Sequence, residues 1–272
     1  KEYRIVPAGK PRQVIVIGGG PAGMEAARVA ALRGHRVKLW EKADRLGGQL
    51  IQAAISPHKD RIAPLNSYLQ TQLKKLGVEV RLGTGATADM VEEAGADVVV
   101  MATGVKPLIP EIPGMDKANI VQAGDVLEGK VAVGNRVIVI GGELVGCETA
   151  EFLADAGKKV TVTRRGQKMA LGVGPCLRPF LLSRLKEKGV TLLTGIKYHE
   201  ITPSGLVVTT KEGEKKTIEA DTIVLAAGSV SDSQLYEEIK GKVAEVHCVG
   251  DCVSPGKIRD AIADGYHIGL EI

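Results

Sequence analysis

Aromatic residues are scarce in this chain: 2 Phe, 1 Trp and 5 Tyr, 3% of 272 residues. A protein that holds single-stranded nucleic acid by stacking on its bases needs more of them. Charge of one sign is missing too. The 36 basic and 32 acidic residues leave a net charge of +4, dispersed and too mild for a nucleic-acid footprint. No nucleic-acid partner is expected. Four cysteines are too few for a disulfide scaffold and suit a reducing compartment, so the expected location is cytoplasmic. No stretch approaches the ~18 uncharged apolar residues of a membrane span, and no secretory leader is visible. No membrane partner is expected either. An initiator Met is also lacking: the chain opens Lys1-Glu2-Tyr3-Arg4, as a piece of a longer protein would.

What the chain has in excess is glycine, 34 residues of 272 against a usual ~7%. The hydrophobic fraction of 44% and charged fraction of 25% are those of a globular protein with a real core. The length suits two small domains or one large α/β domain. Self-similarity at an offset of 123 residues favours two. Val14-Ile15-Val16-Ile17-Gly18-Gly19-Gly20 returns as Val137-Ile138-Val139-Ile140-Gly141-Gly142-Glu143. Gly23, Glu25, Ala27, Gly34 and Val37 return as Gly146, Glu148, Ala150, Gly157 and Val160. Each copy reads as a buried strand, a glycine turn, a helix, a glycine stop and a second strand, and the unbroken aliphatic run suits a parallel strand covered on both faces. A second echo pairs 97–104 with 221–228. The period is too long for a short solenoid repeat. The Pro-rich stretch 106–114 reads as a crossing between domains or as one surface loop, and 204–220 reads as a β-hairpin.

Gly18-x-Gly20-x-x-Gly23 follows a four-residue aliphatic strand and opens a helix expected over Met24–Leu32. In that context the first glycine permits a tight turn, the second lets backbone approach a pyrophosphate, and the third lets helix pack on strand. Pro21 and Ala22 complete the turn, and the helix start offers N–H groups and a positive dipole end to phosphates. Glu41 lies 23 residues after Gly18, where a carboxylate accepts hydrogen bonds from ribose hydroxyls. It reads as a strand-end surface carboxylate, with Lys42 beside it.

Taken together, Glu41, Leu46-Gly47-Gly48-Gln49, Ala102-Thr103-Gly104 and Val249-Gly250-Asp251 resemble the two-dinucleotide flavoprotein reductases. Gly48-Gln49-Leu50, Pro57-His58-Lys59 and Gly146-Cys147-Glu148-Thr149-Ala150 resemble a narrower group, the C-terminal halves of NADH:flavin oxidoreductases of the 2-enoate reductase and 2,4-dienoyl-CoA reductase type. The resemblance implies an α/β fold of two Rossmann-like dinucleotide-binding domains, the second inserted in the first. An FAD domain over 1–128 and 228–272 and an NAD(P) domain over 129–227 are expected. It also implies that Gly47 and Gly48 close a loop over FAD, that Thr103-Gly104 turn the backbone beside it, and that Asp251 accepts from a ribityl hydroxyl. Ala261 and Ile262 would begin a last helix whose N–H groups face the flavin. Strand-end packing for Thr103 and a turn cap for Asp251 stay open.

The second loop departs from the pattern. Gly141-Gly142-Glu143-Leu144-Val145-Gly146 puts Glu at the middle glycine, where a carboxylate repels a pyrophosphate. At the position of Glu41 stand Arg164 and then Arg165. Arginine there pairs with a 2′-phosphate and favours NADPH over NADH, unless it is a solvated strand end. Glu148 matches a position near the nicotinamide in related reductases and reads equally as a helix-surface residue. Cys147, Cys176, Cys248 and Cys252 form no CxxC and read as buried, unreactive thiols with no metal signature. His58 and His199 read as loop residues.

The expected cofactors are FAD and NADPH, with no metal and no catalytic side chain, since the cofactors carry the reactivity. The expected function is electron input: hydride passes from NAD(P)H to FAD, then onward to an absent N-terminal TIM-barrel half bearing FMN and a 4Fe-4S cluster. That half would reduce an enoate or enoyl-CoA double bond. An exposed docking face would favour self-association, leaving a homo-oligomer open. The alternatives are a stand-alone reductase of a soluble acceptor and a non-catalytic module holding ADP.

Overall fold

The computed structural model describes residues 4–116 and 119–272; Lys1, Glu2 and Tyr3 of the opening Lys1-Glu2-Tyr3-Arg4 lie outside them. The chain begins with β1 (Gln13–Ile17), α1 (Pro21–Leu32), β2 (Arg36–Trp40), α2 (Gln49–Ile55), α3 (Ile62–Lys75), β3 (Glu79–Arg81), α4 (Ala88–Glu93), β4 (Val98–Met101) and β5 (Val105–Pro107). It continues through β6 (Ile120–Gln122), α5 (Ala123–Leu127), β7 (Arg136–Ile140), α6 (Leu144–Asp155), β8 (Lys159–Arg164), α7 (Arg178–Glu187) and β9 (Thr191–Thr194). Next come β10 (Lys197–Thr202), β11 (Gly205–Thr209), β12 (Lys215–Glu219) and β13 (Thr222–Leu225). Last are β14 (Ser229–Ser231), α8 (Gln234–Ile239), β15 (Val246–Cys248) and α9 (Ile258–Glu271).

These elements form two compact units. Of the described residues, the first holds 4–54, 60–106 and 229–272; the second holds 55–59, 107–116 and 119–228. The expected inserted second unit is present, but its start moves from 129 to 107. The reason is pairing: β6 lies parallel to β13 in the second sheet, and α5 contributes Ala123 and Val126 to the core around α6. The crossing falls within the Pro-rich stretch.

In the first unit a five-stranded parallel sheet runs β15-β4-β1-β2-β3. Its central strand has no polar residue after Gln13 because both faces are covered. Val14 and Val16 enter a core with α1, α3 and α9, while Ile15 and Ile17 meet Val91 of α4 and Ile239 of α8. Helix α9 sits directly on α1: a Cβ on Gly265 would stand 2.2 Å from the Ala22 carbonyl oxygen, and one on Gly269 2.6 Å from the Val29 Cβ. Only bare backbone allows that approach.

The second unit repeats the plan with a parallel sheet β6-β13-β7-β8-β9. Val137 and Val139 face α6 and α7. The other face, with Ile138 and Ile140, packs on Ile201, Leu206 and Val208 of an antiparallel sheet β10-β11-β12. The expected hairpin is β11–β12, and β10 is an unforeseen third strand. The 123-residue offset carries β1 onto β7 and α1 onto α6 residue for residue. Gly34 and Gly157 close the two helices at φ 94° and 76°, as expected for left-handed caps.

Candidate functional site

The first glycine turn lies where β1 hands over to α1. Gly18 takes φ 109°, and a Cβ on it would stand 2.2 Å from the Ala102 carbonyl oxygen at the end of β4. Any other residue would break that contact. A Cβ on Gly23 would stand 1.9 Å from the Gly18 carbonyl oxygen, so this glycine lets α1 rest on the strand. Gly20 differs. It caps α1 at φ −76°, and a Cβ there would meet nothing within 4 Å. Pro21 takes the first helical position, and the first turn carries no side-chain cap and no acidic residue. The open face of Gly20 and the uncapped helix start, above Ala22 and Gly23, are what an approaching pyrophosphate requires.

Glu41 follows β2 and is buried, with 8% exposure. One carboxylate oxygen accepts the Gly19 N–H at 2.6 Å and the other the Ala43 N–H at 2.7 Å. The expected surface carboxylate is therefore a buried brace between the glycine turn and the strand end. Each oxygen keeps a further lone-pair direction for a ribose hydroxyl. Lys42 beside it is exposed.

The Leu46–Gln49 loop folds back on the turn. Gly47 donates to the Gly19 carbonyl at 2.9 Å, and a Cβ on Gly48 would come 3.0 Å from the Gly20 Cα. Two side chains that sequence reasoning missed hold this loop. Asn66 and Gln70 of α3 both donate to the Leu46 carbonyl, at 3.4 and 3.5 Å. Gln49 donates to Asp251 at 2.8 Å, which brings together two expected site residues 202 positions apart. The other Asp251 oxygen accepts the Gly256 N–H at 2.9 Å, the turn-cap role left open above. Thr103 donates to the Asp232 carbonyl at 2.5 Å, so strand-end packing describes its hydroxyl, and Gly104 follows at φ 74°. Gly250 takes φ 68° against the Ala22 Cβ. Ala261 and Ile262 do not begin the last helix. That helix starts at Ile258, because Asp260 accepts the Lys257 N–H at 3.1 Å. The Ala261 N–H is spent on the Lys257 carbonyl at 3.0 Å.

The second turn keeps the same backbone. Gly141 takes φ 125° beneath the Ala226 carbonyl, and a Cβ on Gly146 would stand 1.9 Å from the Gly141 carbonyl oxygen. The copy extends further than sequence identity does. Ala170 N–H donates to the Gly142 carbonyl at 2.6 Å, the counterpart of Gly47 on Gly19, and Ala170 takes φ 52° without being glycine. Glu143 caps α6 at φ −89°, with its carboxylate 2.5 Å from the Arg164 guanidinium and accepting the Gly172 N–H at 2.9 Å. Arg164 also donates to the Gly142 carbonyl at 3.3 Å. Arg165 lies over the Tyr198 ring, 5.0 Å from its centroid. Both arginines thus have protein partners. Leu144 is half-buried and Val145 exposed in the first turn of α6.

Glu148 is buried rather than on the helix surface, and Lys59 pairs with it at 2.8 Å. His58, at φ 64°, lies 3.4 Å from Glu151. Glu151 is fully buried, and Arg184 and Lys188 donate to it at 2.6 and 3.0 Å. Burial opposes its charge, but these hydrogen bonds win and hold its carboxyl below the usual range. His199 lies in β10, bonded to Thr209, not in a loop. Of the cysteines, Cys147 fits the expected inert thiol, pushed up to about 12 by burial and by the charges of Glu143 and Glu148. Cys176 is exposed. Cys252 is drawn down to about 7, chiefly by a hydrogen bond from Cys248, whose own thiol is pushed up. Among the described residues no helix is long and apolar enough to cross a membrane.

Two parallel sheets, each with a glycine turn feeding a helix start, define a protein built on two dinucleotide-binding folds. Residues 12–265 match the pyridine nucleotide-disulphide oxidoreductase family. The chain belongs to that family, whose domain implies a flavin and a pyridine nucleotide. It is 41% identical over 266 residues to an NADH oxidase of Thermoanaerobacter brockii, covering 96% of this chain and 41% of the relative. It is 37% identical over 275 residues to a cinnamate reductase of Clostridium sporogenes, covering 100% of this chain and 41% of the relative. A solved 2-naphthoyl-CoA reductase in complex with 2-naphthoyl-CoA superposes with a TM-score of 0.96 at 38% identity, over 99% of this chain and 41% of that one. These relatives agree with the enoate- and enoyl-reductase type that the sequence resembles. The chain spans well under half the length of each.

Proposed function

We propose that the chain is the electron-input part of a flavin-dependent reductase, with FAD held by the first unit and a nicotinamide dinucleotide by the second. The observation that carries this reading is the first turn: Gly20 open, the helix start uncapped, and Glu41 braced beside it. Residues Gly18 to Gly23 would receive the pyrophosphate, Glu41 the adenosine ribose, and Gly47, Gly48 and Gln49 would cover the cofactor. Asp251, Thr103 and Gly104 would line its ribityl side. Gly141, Gly142 and Gly146 would form the second turn, and Arg164 and Arg165, where an acid would select NADH, favour NADPH. When bound, the two cofactors would supply hydride transfer from nicotinamide C4 to flavin N5. The protein's own contribution is to bind and orient them; no side-chain acid or base is needed.

Onward transfer would go to a part of a longer protein that bears FMN and an iron–sulfur cluster and reduces an enoate or enoyl-thioester double bond. The relatives' greater length and their names, cinnamate reductase and 2-naphthoyl-CoA reductase, support this step. The test is the absorbance spectrum of the purified chain supplied with FAD. A bound flavin that NAD(P)H bleaches, with ferricyanide reduced and cinnamate untouched, is the expected result. Failure to retain FAD, or robust cinnamate reduction by this chain alone, would overturn the reading.

A further inference from the structure

Two loops built on one backbone plan have opposite electrostatics. In the first, a carboxylate at the end of β2 takes the Gly19 N–H, and the middle glycine is bare. In the second, a guanidinium at the end of β8 donates to the Gly142 carbonyl, and the middle position carries a carboxylate. The two changes meet. Glu143 makes no side-chain cap to the helix start, and its carboxylate lies between Arg164 and the Gly172 N–H. Arg165 is drawn off to Tyr198. The group that would grip a 2′-phosphate is therefore already engaged by an internal anion.

The geometry points to Glu143 as a specificity-determining residue of the second site: by holding Arg164 it competes with the 2′-phosphate and restrains the preference for NADPH. This rests on the reading of the second unit as a nicotinamide-dinucleotide site. NADH makes no demand on Arg164, so the pair stays closed when it binds. NADPH must draw the guanidinium from Glu143, and the freed carboxylate then faces the incoming phosphate. Nearly half of the Glu143 side chain is exposed, 47%, against 20% for Arg164. A pair so open to water is held weakly and can be displaced. Arginine alone at a strand end would select NADPH strongly; arginine with its own carboxylate favours it less.

Isothermal titration of NADP+ and NAD+ into the chain saturated with FAD tests this without turnover. Glu143→Gln keeps the side chain's size and removes its charge, and Glu143→Gly restores the pattern of the first loop. Each should tighten NADP+ about three- to fivefold more than NAD+, the scale of one partly exposed ion pair. Adding Arg164→Gln should abolish that extra gain. An equal gain for both dinucleotides would place Glu143's effect on the shared pyrophosphate and overturn the proposal, as would an unchanged ratio. Binding of neither dinucleotide to any variant would overturn the nicotinamide site itself, and this inference with it.

Discussion

Replacing Glu41 by alanine should damage two properties that separate experiments can read. The carboxylate accepts the Gly19 and Ala43 N–H groups at 2.6 and 2.7 Å, and hydrogen bonds to a charged group contribute about 1.5–3 kcal/mol each. Ala43 is exposed, so its N–H finds water once the carboxylate is gone. Gly19 is buried, and its N–H is left without a partner. The loss without flavin should therefore approach one such bond rather than two, about 2–3 kcal/mol. Glu41→Gln keeps one acceptor oxygen and should lose about half as much. The assay is urea denaturation of the flavin-free chain, followed by FAD titration of whichever variants remain folded. FAD affinity should fall by a further ~1–3 kcal/mol through the lost ribose contact. An alanine variant as stable as the parent would refute the brace. Reduced stability with unchanged FAD affinity would refute the ribose assignment while leaving the brace intact.

Gly23→Ala should destabilise the fold by about 3 kcal/mol, because its methyl has no room above the Gly18 carbonyl. Gly20→Ala, facing open space, should leave the denaturation midpoint unchanged and weaken FAD; equal destabilisation by the two would contradict this account of the turn. His35 accepts the Arg12 N–H through Nδ1 and donates from Nε2 to the Ile272 carbonyl, and burial lowers its pKa below 6.5. Protons then bind the unfolded chain more readily, so stability is complete above pH 6.5 and falls as the pH drops below it. His35→Gln should flatten that part of a stability–pH curve.

The parallel sheets were legible because a strand covered on both faces must be aliphatic throughout, as Val14–Ile17 and Val137–Ile140 are. Short strands with little apolar signal were not. β6 has only half-buried residues, so its pairing with β13 leaves little apolar signal in the sequence. Neither Gln49–Asp251 nor Glu143–Arg164 can be seen by spacing, since each pair forms only when separate loops close on the same turn. Ala170 shows the same limit from another side. A left-handed backbone is announced in sequence by glycine, and here alanine adopts it, tied to Gly142. Glu41 was found by spacing alone. Its burial was not, because four exposed residues follow it and nothing local marks it as part of the core.

The return of residues 229–272 to the first unit fixes an order of events during synthesis. When residue 106 leaves the ribosome, β4 has its β1 partner, but the edge that β15 will cover is bare. The face of α1 that will receive Gly265 and Gly269 is bare as well. A further 166 residues must be translated before both are covered (272 minus 106), roughly 10–30 s at ordinary rates of synthesis. Meanwhile every strand of the second unit's parallel sheet, from Ile120 to Leu225, is complete. The inserted unit therefore has every strand of its sheet while its host still lacks β15 and its last helix.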